Sequence, residues 1–361
     1  SVAVILVKNI SIYAIAGLMF MVVGFNLMYA DVAASGGWFG VPALWYPHNS
    51  PEDTYADAAR WFFQMVFVAT AASIVSGALA ERIKIMPFLF FCMVLTGLIY
   101  PIVGAWTWGG GWLAGLGFSD FAGSTIVHSV GGWAAVTGAL LLGPRRGRFS
   151  PKRNEALQPS SLPLVTLGTF ILWFGWFGFN GGSQLAISSI EDARAVAEIF
   201  ANTNIAASAG AVATVVFFLF KERRIHVPMA LNGALAGLVA ITADPVHPDP
   251  YQAVLIGTVG ALLMIGAALL LEKLKVDDVV GAIPVHLVGG IWGTLIVPLS
   301  NPDATLVGQL SGIGAVAVFV AATSFIVWEL LRRTVGIRIH WSEETRGSDV
   351  AELGVKAYNL H

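Results

Sequence analysis

The sequence is poor in charge and has almost no cysteine. Only 12% of its 361 residues are Asp, Glu, Lys or Arg, whereas a soluble domain carries about a quarter. The single cysteine, Cys92, lies in an apolar run. That excludes a disulfide framework and a cysteine metal site, and leaves a small core- or lipid-facing residue. The basic residues are scattered among loops and not gathered on one face, so a nucleic-acid interface is not expected. A net charge of −2 says little about partners. The start, at Ser1, lacks the charged segment and cleavage site of a signal peptide.

What fills the chain is apolar. The hydrophobic share is 56% and the mean hydropathy is +0.74. About 20 apolar residues are needed to cross a bilayer as a helix. Ten stretches are candidates, near Ile5–Ala30, Ala59–Ala80, Met86–Trp106, Thr125–Leu142, Leu162–Phe179, Ala195–Phe220, Met229–Thr242, Ala253–Leu271, Ala282–Val297 and Leu310–Leu331. The seventh is the shortest. The chain therefore reads as an all-α polytopic membrane protein, with a transmembrane domain over 1–333 and a tail over 334–361.

Ten alternating spans put every Lys and Arg except Arg60 and Arg194 on one side. Excess basic charge marks the cytoplasmic side. The C-terminus is thus expected in the cytoplasm, and Lys152 and Arg153 between the fourth and fifth spans face the same way. The opposite loops are rich in Gly, Pro, Trp and Asp, as in 108–112 and 244–250, and read as ordered external turns.

One signature occurs twice. Asp120 precedes His128 by eight positions, and Asp278 precedes His286 by eight; each histidine is followed by a Gly-Gly pair and a tryptophan, Gly131-Gly132-Trp133 and Gly289-Gly290 with Trp292. The histidines lie on the fourth and ninth spans. The step from the fourth span to the ninth is five, an odd number, so the copies run in opposite directions, the pattern of an inverted repeat meeting at a central site. Ionisable groups are costly in hydrocarbon and mark function. No third His, Cys or carboxylate lies one helical turn from either histidine, so no metal site is expected. Burial favours neutral imidazole, which has one N–H donor and one bare nitrogen acceptor. Two such rings in contact can share a proton, face a small polar solute, or relay a proton.

Other residues admit two readings. Asp120 and Asp278 lie near span starts, where each could cap a helix N-terminus or place negative charge near a cation path. Inverted topology puts Asp120 outside and Asp278 inside, beside Lys273 and Lys275. Phe63, Phe67, Trp108 and Phe179 are either interfacial anchors or parts of a cation–π cage in an outer vestibule, with Ser183 as hydrogen-bond acceptor.

Phe63-Gln64, the run 77–82, Trp108-Gly109-Gly110-Gly111, the run 120–128, 175–180, Val276-Asp277-Asp278 through His286, and the tail from Gly336 to Tyr358 resemble the ammonium transporter (Amt) family. The resemblance spans essentially the whole chain. It implies an inverted five-plus-five helix repeat with a long last helix, of which about ten of eleven helices are present. The family's first helix has no counterpart ahead of Ile5, and trimming is expected over natural loss. By the resemblance, Trp108, Ser183, Phe63 and Asp120 serve the outer ammonium site, Phe67 and Phe179 form a stacked gate, and His128 and His286 are twin pore histidines. It further implies a homotrimer in the inner or plasma membrane and a PII signalling protein at the cytoplasmic loops and tail. The tail keeps Gly347-Ser348-Asp349 but departs at Glu352 and Leu353. The expected function is ammonium transport with a separately relayed proton, without enzyme activity or cofactor. The alternatives are a sensor acting through a cytoplasmic partner, an electroneutral ammonia channel, and a membrane metalloenzyme.

Overall fold

A computed structural model describes residues 2–48, 56–150 and 159–358. Ser1, Lys152 and Arg153 lie outside these. Among the described residues eight helices are long and apolar enough to cross a membrane: α1 Val2–Tyr29, α2 Asp57–Leu79, α3 Ile85–Thr107, α4 Ser124–Leu142, α5 Leu162–Gly182, α6 Ile190–Glu222, α8 Pro250–Lys273 and α10 Leu306–Thr334. Two shorter apolar helices complete the ten, α7 Val227–Ile241 and α9 Ile283–Leu299. The ten coincide with the ten expected spans, and α7 is indeed brief. Two short helices follow in the tail, α11 Trp341–Arg346 and α12 Ser348–Leu353.

Local signals explain several ends. Asp249 and Gln252 form a reciprocal capping box at the start of α8, and Ser161, Ser189 and Thr305 cap α5, α6 and α10. Each side chain satisfies a backbone N–H that the first helical turn leaves without a partner. Cys92 is fully buried in the core of the first half.

Helices α1 and α3 each carry a π-type turn in mid-course, and the histidine helices carry theirs at the start. Both open with one wide π-type turn, Ser124–Ser129 in α4 and Ile283–Val288 in α9, a feature often found at functional sites. The end of α4 and the start of α9 share the basic end of the molecule, since Arg82 bonds both Gly143 O and Asp277 O. The two helices are therefore antiparallel. The duplicated Gly-Gly pairs let them cross. A Cβ on Gly132 would lie 2.6 Å from Leu287 Cβ, and one on Gly290 would lie 2.3 Å from Ser124 O. In each copy the second glycine receives the histidine turn of the other copy.

The basic end is closed by Asp277. Its carboxylate takes the Arg145 backbone N–H and Nε at 2.8 and 2.9 Å and Nη2 at 3.1 Å, while Arg148 and Arg82 stand within ion-pair range. Asp278 lies beside Lys273 and Lys275 in sequence, but among the described residues it forms no ion pair with either. Its oxygens accept the N–H groups of Gly281 and Ile283 at 3.1 and 2.6 Å, capping α9. The tail docks at this end. Arg338 donates to Leu142 O and Pro144 O, Asp349 accepts Val4 N–H, and Glu352 accepts Ile85 N–H.

Burial alone would raise the Asp277 carboxyl, but the hydrogen bonds and charge of Arg145, with Arg82, outweigh it and hold it below the usual 3.8. A depressed carboxylate stabilises the fold at neutral pH, and that contribution is lost as pH falls through its lowered value. Asp277→Ala removes the carboxylate facing the fully buried Arg82 and leaves Arg145 only Glu81, and breaking a buried pair in this way costs about 3–5 kcal/mol. The expected result is a markedly lower thermal midpoint in detergent, with Asp277→Asn intermediate.

Candidate functional site

At the end opposite the basic loops, a cavity of about 260 Å³ opens between α1, α2, α5 and the segment before α4. Its walls include Phe63, Gln64, Phe67, Trp108, Phe121 and Ser183, with Tyr29, Arg60 and Leu185 completing the lining. On α2, residues 60, 63, 64 and 67 fall at helical spacing and share one face, so a single helix lays a strip from the mouth to the floor.

The polar atoms here are held in place. The Trp108 indole N–H donates to Asp120 O at 2.9 Å, which fixes the ring. The Ser183 hydroxyl donates to Phe179 O at 2.9 Å. Its proton is thus committed, and the oxygen remains available as an acceptor.

Below the cavity the rings form a continuous line. Phe67 packs on Phe63 with centroids 4.6 Å apart and meets Trp108 edge-on at 5.9 Å. It stacks on Phe179 at 4.0 Å with an interplanar angle of 18°. Phe179 in turn lies 5.5 Å from the His128 ring, which also stacks on Trp176 at 5.1 Å. His128 and His286 meet Nδ1 to Nδ1 at 3.2 Å, with rings 19° apart.

That contact constrains the protons. One Nδ1 must carry hydrogen and the other must be bare. In the neutral pair, the ring that donates has a bare Nε2 and its partner carries N–H at Nε2. His128 is fully buried, and its Nε2 has no hydrogen-bond partner among the described residues. A buried polar atom left without a partner is costly, and one on a ring that belongs to this line suits a small polar visitor.

Asp120 is near this machinery but does not line the cavity. It is 3% exposed. Its Oδ1 accepts Gly123 and Ser124 N–H at 3.1 and 2.8 Å, and its Oδ2 accepts Thr125 and Ile126 N–H at 2.8 and 2.9 Å. The carboxylate thus holds the turn from which His128 projects. Among the described residues no three His, Cys, Asp or Glu side chains are grouped to hold a metal ion.

The sequence profile of the Ammonium Transporter Family matches residues 1–358. The chain belongs to that family. It is 39% identical to Ammonium transporter Amt2 of Archaeoglobus fulgidus over 99% of this chain and 81% of that protein. Among solved structures it resembles one named Sensor Amt Protein, with a TM-score of 0.87, 36% identity, and coverage of 96% of this chain and 89% of that one. It also resembles Candida albicans Mep2, with a TM-score of 0.82, 28% identity, and coverage of 92% and 78%. The expected ammonium-transporter fold is thereby established, and the chain is a multi-pass membrane protein.

Of the expected site residues, Phe63, Phe67, Trp108 and Ser183 line one cavity, and Phe179, His128 and His286 continue from it. Tyr29, Arg60, Phe121 and Leu185 were not singled out. Tyr29 comes from a different helix and Phe121 and Leu185 from loops, so no spacing links them. Arg60 carried a signal, as one of two basic residues on its side.

Proposed function

We propose that ammonium enters the cavity beside Trp108, divides there into NH3 and a proton, and that NH3 passes Phe67 and Phe179 and runs along His128 and His286 toward the basic, cytoplasmic end. The proton moves separately through the imidazole pair and rejoins NH3 on the far side, so one charge crosses with each NH3. The observation that carries this reading is the unbroken line from cavity to Phe67, Phe179 and the Nδ1–Nδ1 contact at 3.2 Å.

The energetics favour division over passage of the intact ion. Potassium has a similar size and charge, so attraction alone does not discriminate. A cation–π contact contributes about 1–2 kcal/mol and acts on both ions. Moving an intact ion into an apolar path costs tens of kcal/mol in the Born limit. Losing a proton removes most of that cost for ammonium, and potassium has no proton to lose. Asp120 acts in this reading through the helix it caps and not as an ion ligand. Phe67 and Phe179, stacked at 4.0 Å, must part to admit NH3.

The homotrimer and a PII partner at the cytoplasmic loops and tail belong to the same proposal. The exposed Leu164, Phe170, Ile171 and Phe174 of α5 give apolar surface for lipid or a neighbouring subunit.

Reconstituted in liposomes, the full chain should pass a transient inward current on an ammonium step and none on a potassium step. Ammonia uptake without current defeats the charge-carrying version and leaves the electroneutral channel. The structural similarity to a protein named Sensor Amt Protein favours one second reading, a sensor. A cytoplasmic partner that leaves on adding ammonium, with no flux of any kind, would establish it instead.

A further inference from the structure

One charge in the cavity has no part in the scheme above. Arg60 lies in the first turn of α2 and lines the same cavity as Phe63, Trp108 and Ser183. Its guanidinium carbon is 5.5 Å from the Tyr29 ring centroid, and Tyr29 is also part of the wall. Stacking on an aromatic face suits the planar guanidinium and holds it there. A fixed positive charge at the mouth of a cation site opposes the site's own ligand. Its sign of action does not depend on what else Arg60 touches, because removing one positive charge makes the mouth more negative whatever surrounds it.

We infer that Arg60 sets the affinity of the cavity for monovalent cations, weakening their binding so that the ion passes on and does not stay. The inference rests on the ammonium reading of the cavity. A conducting site must bind well enough to load and weakly enough to release. Trp108, Phe63 and the Ser183 oxygen all favour the cation, and Arg60 offsets them. The effect is long-range and blind to ion chemistry, so it acts alike on ammonium, methylammonium and competing potassium. Discrimination between them belongs to the deeper path.

The test is a charge series in the full chain reconstituted in liposomes, with KM read from ammonium-evoked current or uptake. Arg60→Lys should stay within about twofold of the parent. Arg60→Gln should lower KM by about threefold to fivefold, the effect of one unit charge across such a vestibule at a dielectric between protein surface and water. Arg60→Glu should lower it further. The differences should shrink on raising the salt of a bulky organic cation from about 0.01 to 0.15 M, as the Debye length contracts from about 30 to 8 Å. The constant for inhibition by potassium should move by the same factor as KM. Overturning results are a KM that follows shape, with Arg60→Lys behaving like Arg60→Gln, or a KM that is unchanged or raised in Arg60→Glu. In those cases transport by the parent persists and only the role of Arg60 falls. A parent chain that moves no ammonium defeats the transport reading itself.

Discussion

His128→Ala is expected to lower the ammonium-evoked current of the reconstituted chain by at least about a hundredfold, the lower range for loss of a positioned acid–base group. The reason is geometric. The two imidazoles touch at Nδ1 with 3.2 Å between them, so a proton arriving at one nitrogen can leave through the other ring only while both are present. His286→Ala should be equally severe. The double variant should be no worse than either single one, because groups that act as a unit are not additive. His128→Gln separates relay from packing. Glutamine offers a donor and an acceptor and fills much of the space against Trp176 and Phe179, but it does not take up a proton in this range. If His128→Gln keeps the full current, the pair is a polar lining and not a relay. If both variants carry NH3 without current, charge and ammonia follow different routes.

The order of the apolar helices was legible because the physics of the bilayer is one-dimensional: ten apolar stretches suffice to order ten helices. The antiparallel repeat was legible for the same reason, since the histidine spans are five steps apart and alternate spans reverse direction. The contact between His128 and His286 followed from the repeat. Less visible was what lets the repeat close. Gly132 and Gly290 read as part of a signature, and only the crossing shows that each admits the other copy's histidine turn. The two neighbouring aspartates were harder still. Asp277 and Asp278 differ by one position, and a bend in the chain decides that one gathers the arginines while the other caps a helix. The cavity lining was legible along α2, where spacing links residues 60 to 67. It was illegible where Tyr29 and Leu185 approach from distant segments.

Asp120→Ala is expected to prevent accumulation of folded protein. Four backbone N–H groups, from Gly123 to Ile126, converge on its two oxygens at 2.8–3.1 Å in a site almost closed to water. Each buried donor left without a partner costs about 1–3 kcal/mol. Four of them cost at least about 4 kcal/mol, comparable with the whole stability of a marginal fold. Asp120→Asn should be milder but still damaging. Its carbonyl oxygen can keep two of the donors, while its amide nitrogen faces the other two, donor against donor. Asp120→Glu keeps the charge, but its extra methylene displaces the carboxylate from the four N–H groups that converge on it. The measurement is the thermal midpoint in detergent, read with the yield of monodisperse protein. An ion-ligand role predicts the opposite pattern: Asp120→Asn would fold with an unchanged midpoint and show only a raised KM for ammonium. The cap also links Asp120 to transport without any contact with the ion. His128 projects from the turn those four N–H groups begin, so a variant that folds with a loosened turn should lose current before it loses affinity. A fall in maximal current at constant KM is therefore the result expected of any Asp120 variant that can be purified.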